Sequence, residues 1–437
     1  MVKRMRLLGF MFHSPMNHTI LSWAHPESTQ GTEFARPEFW QHIARTLERG
    51  RFDGLFLADT FSAYDVYRDS YEPTVRYGVV CPQHDPVVLI PVMALATRHL
   101  GFGTTMSTNA YHPYVLARTM ATLDHLTGGR VGWNVVTGIS RSEYRNLSME
   151  DWLPHDERYD RADEYLDLCN QLWGSWEPDA VIADAERGIY ADPAKVHRVN
   201  FRGRYFTSAG PLVTLPSPQG RPVIFQAGSS GRGRDFAVRH AEVVFSIQLH
   251  ARAMRVYGDD LRSRAEQLGR DPNEIKITYG VQAFVGESEA QARELQQEMV
   301  ERIPLDAALA RLSSSLGFDF STVPIDEPLE QIRTEASQGL VTALTTLYGG
   351  TMTVREAAVR WGGSVGMPQV VGTPEQVADQ LQALHEEGGG DGFNLTPTYT
   401  PGSFDMFVDT VVPILQARGQ VRREYTARTF REQLLEE

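Results

Sequence analysis

Short apolar runs alternate along the whole chain with longer segments in which apolar positions recur every three or four residues. Such alternation marks strand–helix units arranged around a parallel sheet. The runs predict eight strands, at 5–12, 54–59, 100–107, 131–137, 222–227, 242–247, 276–285 and 392–396. A doubly wound sheet shares this alternation but usually carries a glycine-rich turn after its first strand, and none follows Phe12. The pattern therefore predicts an α/β chain of the (β/α)8 TIM-barrel type, with residues 1–437 forming one domain.

Helix ends support the same reading. Pro37 occupies a first-turn position, Phe39, Ile43 and Leu47 repeat on one face, and Gly50 supplies the stop. Pro113 and Gly128 bracket a second helix in the same way. Thr373-Pro374-Glu375-Gln376 reads as a capping box, with Val377, Leu381 and Leu384 facing inward behind it. Two stretches exceed a minimal barrel. Residues 176–222 mix Pro, Gly and short β-prone runs such as Arg204-Tyr205-Phe206, which predicts a small hairpin outside the barrel. Residues 303–367, with Ser313-Ser314-Ser315 and Gly349-Gly350, form a long insertion expected to wall or cover the active site. Their Ser and Gly content predicts few buried anchors and mobility without ligand.

Composition narrows the function. The formal net charge of -13 and the lack of a dense Lys/Arg cluster argue against a nucleic-acid partner. No apolar stretch approaches a membrane span and the first residues lack a secretory core, so a cytoplasmic protein without a membrane role is expected. Two distant cysteines, Cys81 and Cys169, fit neither a disulfide framework nor a thiolate metal site. His13, His18 and His25 lack a neighbouring carboxylate at ligand spacing, so no metal is expected.

In a barrel, useful groups sit at the carboxyl ends of strands. Polar residues fall there: Asp59, Thr105, Ser107, Asn134, Thr137 and Gln226. The segment Gln226-Ala227-Gly228-Ser229-Ser230-Gly231-Arg232-Gly233 joins an apolar strand to a helical run, where glycines and free N–H groups suit a phosphate as well as an ordinary helix start. His155 and Tyr159 share one helical face and could reach the same anion, or serve as cap and packed tyrosine.

These segments occur in order with Leu47-Glu48-Arg49-Gly50-Arg51-Phe52-Asp53 before Phe56-Leu57-Ala58-Asp59, Thr122-Leu123-Asp124-His125-Leu126 before Trp133-Asn134-Val135-Val136-Thr137, His155-Asp156-Glu157-Arg158-Tyr159, and Asp391-Gly392-Phe393-Asn394. Together they resemble the bacterial-luciferase-like flavin monooxygenases, in the branch holding the nitrilotriacetate, dibenzothiophene-sulfone and long-chain alkane monooxygenases. The resemblance implies a barrel that binds FMN and uses it reduced, as FMNH2 received from a separate NAD(P)H-dependent flavin reductase. It implies oxygenation of a small organic substrate by O2 through a flavin C4a-hydroperoxide. Asp59, Thr105, Asn134, His155, Tyr159 and Ser230 match cofactor-contacting positions, and Gly228 and Ser229 adjoin them. Tyr159 and Ser230 would hold the phosphate, and Asp59, Thr105 and Asn134 would lie nearer the ring. Ser14, standing where the alkane branch has a cysteine, joins His25 and Tyr64 as a pocket candidate. A homo-oligomer, dimer or tetramer, is expected. A deazaflavin-dependent oxidoreductase of the same fold and a flavin-binding relative without turnover are the rival readings.

Overall fold

The computed structural model describes residues 4–138, 140–149, 153–331 and 351–436. Its strands are β1 (Arg6–Phe12), β2 (Gly54–Ala58), β3 (Gly101–Ser107), β4 (Val131–Val136), β5 (Val181–Asp184), β6 (Ile189–Ala191), β7 (Phe201–Arg202), β8 (Thr207–Ser208), β9 (Val223–Gln226), β10 (Val243–Ser246), β11 (Lys276–Val285), β12 (Gln369–Gly372) and β13 (Gly392–Thr396). All eight predicted runs are strands, with ends moved by at most two residues, within ordinary fraying. They pair in parallel in the order β1-β2-β3-β4-β9-β10-β11-β13 and close on β1, giving a (β/α)8 barrel.

Alternate residues point inward, and the interior changes character along its axis. Phe10, Phe56, Phe225 and Phe245, from β1, β2, β9 and β10, form a middle layer with ring centroids 4.8–5.7 Å apart among its contacting pairs. Leu8, Val223 and Val243 lie below it in the same apolar cluster. The floor is closed by the short helix Phe430–Leu435, whose Phe430 stacks on Phe225 at 5.9 Å. Gly101 admits that ring, since a Cβ there would collide with Phe430. Arg422 and Asp53, each side chain 3% exposed, pair at 2.7 Å beneath the floor, and Asp53 also accepts the Leu7 N–H at 2.9 Å. Above the phenylalanines the inward positions become polar, with Thr105 and Ser107 on β3, Asn134 on β4, Gln282 on β11 and Thr396 on β13, all buried.

The predicted helix ends hold. Pro37–Arg49 starts on its proline, Gly128 closes Pro113–Thr127 in the left-handed conformation, and the Thr373 and Gln376 side chains form a reciprocal capping box. Residues 176–222 form two small antiparallel hairpins, β5–β6 and β7–β8, rather than one.

The long insertion departs from expectation in two ways. A ninth strand, β12, pairs with the upper half of β11 (Gln282–Val285) just beyond it; four residues bounded by Pro368 and Gly372 give too short a pattern to read. The described part of 303–367 is also well anchored. Helices Leu305–Leu316 and Val354–Ser364 pack together over a second apolar cluster with Phe12, Met16, Ile20 and Tyr67, and Ser313 and Ser314 are themselves buried. Serine content misled because these hydroxyls sit inside a helix: Ser313 Oγ accepts the Phe320 N–H at 3.2 Å. Gly349-Gly350 lies outside the described residues.

Phe430 fills the floor together with Leu434 of the same helix. Phe430→Ala is expected to destabilise the protein by about 3–5 kcal/mol, the usual cost of an aromatic cavity, read as a lowered urea midpoint. Phe430→Leu should lose much less.

Candidate active site at the carboxyl ends of the strands

Parallel closure brings the residues after each strand to one rim. Asp59 follows β2, and its Oδ1 accepts from the Gln83 amide at 2.8 Å, while the same amide donates to the Ala58 carbonyl at 3.2 Å. Asp59, Gln83, His84 and Asp85 line a cleft of about 320 Å³. Burial, reinforced by the Asp85 carboxylate, pushes the Asp59 carboxyl up to about 8, so at neutral pH it is mostly a neutral acid and a hydrogen-bond donor. A larger hollow of about 510 Å³ lies on the outer helices and is lined by ion pairs such as Arg232–Asp163 and Arg264–Asp260. It has no strand-end residue in its wall.

Thr105 and Asn134 stand opposite one another on β3 and β4, and the Asn134 amide donates to Thr105 Oγ1 at 2.9 Å. The Asn134 carbonyl oxygen is buried and has no partner among the described residues. A buried acceptor left unpaired costs about 1–3 kcal/mol, which marks the position as built for something that donates to it. Next to it, Ser107 donates to Glu143 at 2.8 Å.

A second group of predicted residues converges at the end of β9. Ser230 caps the helix Gly231–His240, its hydroxyl accepting the Gly233 N–H at 3.0 Å. The Tyr159 hydroxyl lies toward the Gln226 and Ser230 side chains, and burial of the phenol outweighs their effect and raises its pKa. Two glycines make this approach possible. A Cβ on Gly233 would lie 2.8 Å from the Tyr159 hydroxyl and 3.0 Å from Ser230 Oγ, and one on Gly228 would lie 2.8 Å from the Gln226 amide. The result is a cluster of hydroxyls beside a helix start, a setting that favours an anion. Tyr257 braces it by donating to the Gly228 carbonyl at 2.8 Å. Ser229 is exposed, and its carbonyl accepts from Arg234 at 3.0 Å. His155 is exposed one turn before Tyr159, with ring centroids 5.2 Å apart, and pairs with Asp156 at 2.7 Å.

The pocket candidates do not converge as closely. Ser14 folds onto its own loop, donating to the Met16 carbonyl at 2.8 Å. His25 stacks on Tyr399 at 4.0 Å and accepts the Glu27 N–H. Tyr64 packs against the insertion's apolar cluster and feels the charge of Arg311. The roles of several residues escape sequence reasoning. Gln83 and Asp85 act only through the fold. His18 is fully buried, its Nδ1 2.7 Å from Thr396 Oγ1, and Arg311 is signalled only by being a lone charge within the apolar run Ala307-Ala308-Leu309-Ala310-Arg311-Leu312.

The raised Asp59 has a measurable consequence. The folded state holds this proton after the unfolded chain has released it, so the stability it contributes at acid pH is lost as pH rises through about 8. A protonated-carboxyl infrared band should titrate near that pH and vanish in Asp59→Asn, whose stability falls less steeply with pH. A band that is absent at neutral pH in the native protein would contradict the assignment.

The sequence model of the luciferase-like monooxygenases matches residues 16–391. The chain is 41% identical to the dibenzothiophene-sulfone monooxygenase of Rhodococcus erythropolis (strain XP), over 99% of this chain and 96% of that one. It is 43% identical to the long-chain alkane monooxygenase of Geobacillus thermodenitrificans (strain NG80-2), over 94% and 90% of the two chains. A crystal structure of long-chain alkane monooxygenase superimposes with a TM-score of 0.91 at 41% identity, covering 99% of this chain and 96% of that one. With the barrel closed and its polar groups gathered at one rim, the chain belongs to the luciferase-like monooxygenase family.

Proposed function

We propose that this enzyme is the oxygenase of an FMN-dependent two-component system. It takes FMNH2 from a separate NAD(P)H-dependent flavin reductase and uses O2 to oxygenate a small organic substrate. The observation that carries the reading is the close approach of the Tyr159 hydroxyl, Ser230 and a helix start around Gly233, beside Gly228. The residues present fit FMN. A phosphate would meet the Tyr159 and Ser230 hydroxyls and the N–H groups at the helix start, the Gly228 N–H itself being bonded to the Gln226 side chain, with His155 on its solvent side. The orphaned Asn134 carbonyl offers an acceptor for a ring N–H, and Thr105 fixes the amide that carries it. Asp59, holding its proton, offers a donor to the same ring region.

Bound in reduced form, the flavin supplies the two electrons that activate oxygen. The chain's residues have other tasks. Tyr159 and Ser230 anchor one end, Asn134 and Thr105 orient the other, and the phenylalanine layer seals the base of the pocket against water. No side-chain nucleophile is required.

Losing a hydrogen bond to a charged group costs about 1.5–3 kcal/mol, so Tyr159→Phe should weaken FMN by roughly ten- to a hundredfold in calorimetric titration. Riboflavin, which lacks the phosphate, should bind almost as before. Equal losses for both would remove Tyr159 from the phosphate site. Anaerobic titration should also show FMNH2 bound more tightly than FMN, as a borrowed cofactor requires; the reverse order would sink the two-component scheme.

A further inference from the structure

The segment after β2 turns back over the end of that strand, and a short polar stretch of it is fixed on both sides. Val79 and Val80 are buried in the apolar cluster that also carries the insertion. Beyond them the loop after β1 grips the chain twice: the His84 N–H donates to the His13 carbonyl at 2.8 Å, and His13 Nδ1 donates to the Asp85 carbonyl at 3.1 Å. Asp85 closes the stretch by accepting the Val87 N–H on its own carboxylate at 2.8 Å. Gln83 lies between these anchors, so its side chain is delivered to one place.

There its amide meets two oxygens. Nε2 donates to the carbonyl of Ala58, the last residue of β2, at 3.2 Å and to Asp59 Oδ1 at 2.8 Å. A carbonyl can only accept, so the bond to Ala58 fixes which end of the amide faces the acid. Both amide protons are then committed, and Oδ1 is held as an acceptor. Asp59 is mostly protonated at neutral pH, and the oxygen that accepts best is the one without the proton. The proton is therefore left on Oδ2. Both residues line the cleft of about 320 Å³, so an oriented acid in this place meets whatever enters it.

We propose that Gln83 is the positioning residue of Asp59: it orients the acid so that Oδ2 is the oxygen that donates to a ligand in the cleft, and through that donor it helps to hold the flavin ring. The contact with flavin rests on the proposed function, whereas the orientation of the acid does not. The other groups that face Asp59 act differently. Burial does most to raise its carboxyl, followed by the charge of Asp85, on the same loop as Gln83, and that of Glu143, on the helix Arg141–Asn146; the Thr60 N–H and the Gln83 amide pull the other way. Tyr111 is pushed up to about 12, first by burial and then by Asp85 and Asp59, so it keeps its proton and adds no charge. The two carboxylates repel a second negative charge without direction, and Gln83 supplies the direction.

Infrared titration of the full chain without flavin reads the orientation. In Gln83→Leu the Asp59 band should move to higher frequency, because its carbonyl oxygen has lost a hydrogen bond. Its midpoint should rise by about one pH unit, because the same bond favoured the ionised form. Asp85→Asn keeps an oxygen for the Val87 N–H, and it should lower the midpoint while leaving the frequency in place. In calorimetric titration Gln83→Leu should weaken FMN and riboflavin alike, by about tenfold, since the loss lies at the ring and not at the phosphate. A band unchanged in frequency and midpoint in Gln83→Leu overturns the inference, as does a midpoint that falls. A lowered melting temperature with the band in place overturns it too, because Gln83 then only braces its loop. A band that shifts while both flavin affinities hold strikes out the contact with the ring. Failure of FMN to bind the native chain would instead sink the proposed function, since the infrared comparison is read without flavin.

Discussion

A parallel sheet can close only if every strand returns on the outside, so all eight carboxyl ends must emerge at one rim. In this chain the closing contacts are β10 with β11 and β13 with β1. Asp59, Thr105, Asn134 and Gln226 are scattered over nearly 170 residues of sequence, yet each ends or follows a strand, and closure alone makes them neighbours. The same constraint explains the axial gradient inside. The phenylalanine layer fills the waist, Phe430 plugs the floor, and only the rim is left for polar groups. A barrel that failed to close would lose the site before it lost its helices.

Two ionisable groups at that rim meet the same low-polarity surroundings with opposite means of response. Asp59 keeps its proton and becomes a neutral donor, helped by the nearby Asp85 charge. Arg311 has no such option: it stays charged, and no carboxylate pairs with it among the described residues. The Asn134 carbonyl also has no partner among the described residues, although a neutral acceptor tolerates its isolation at far lower cost.

The fold was legible because a strand of five or six apolar residues bounded by Pro, Gly or a capping residue leaves a strong local pattern, and eight of them followed by helices admit few topologies. The strand-end residues were legible for the same reason: their positions depend on the strands and not on distant contacts. β12 escaped because four residues carry no period. The insertion was misjudged because serine reads as a loop residue in sequence, whereas Ser313 and Ser314 are buried on a helix that packs on both its neighbours. The roles of Gln83, Asp85 and His18 could not be read because they come from contacts made across loops, such as Gln83 reaching Asp59 from 24 residues away.

Two of the apolar clusters bear on how the insertion joins the barrel. The four-phenylalanine layer and the floor belong to one cluster, fixed by the barrel's own strands and the C-terminal helix. The insertion rests on another, made of Phe12, Met16, Ile20 and Tyr67 with its own helices. The two are joined at a seam: Met367 at the end of the insertion belongs to the phenylalanine cluster, Ala58 packs on both, and His18 touches Phe10 and Phe12, so substitutions at the seam couple while those far from it combine almost independently. Arg311 lies on the insertion side of that seam, its guanidinium bonded to the His18 carbonyl, so the insertion helix is tied to the loop that follows β1 as well as to its own cluster. Closure fixes where the strand ends stand, and the seam fixes how the insertion is laid over them.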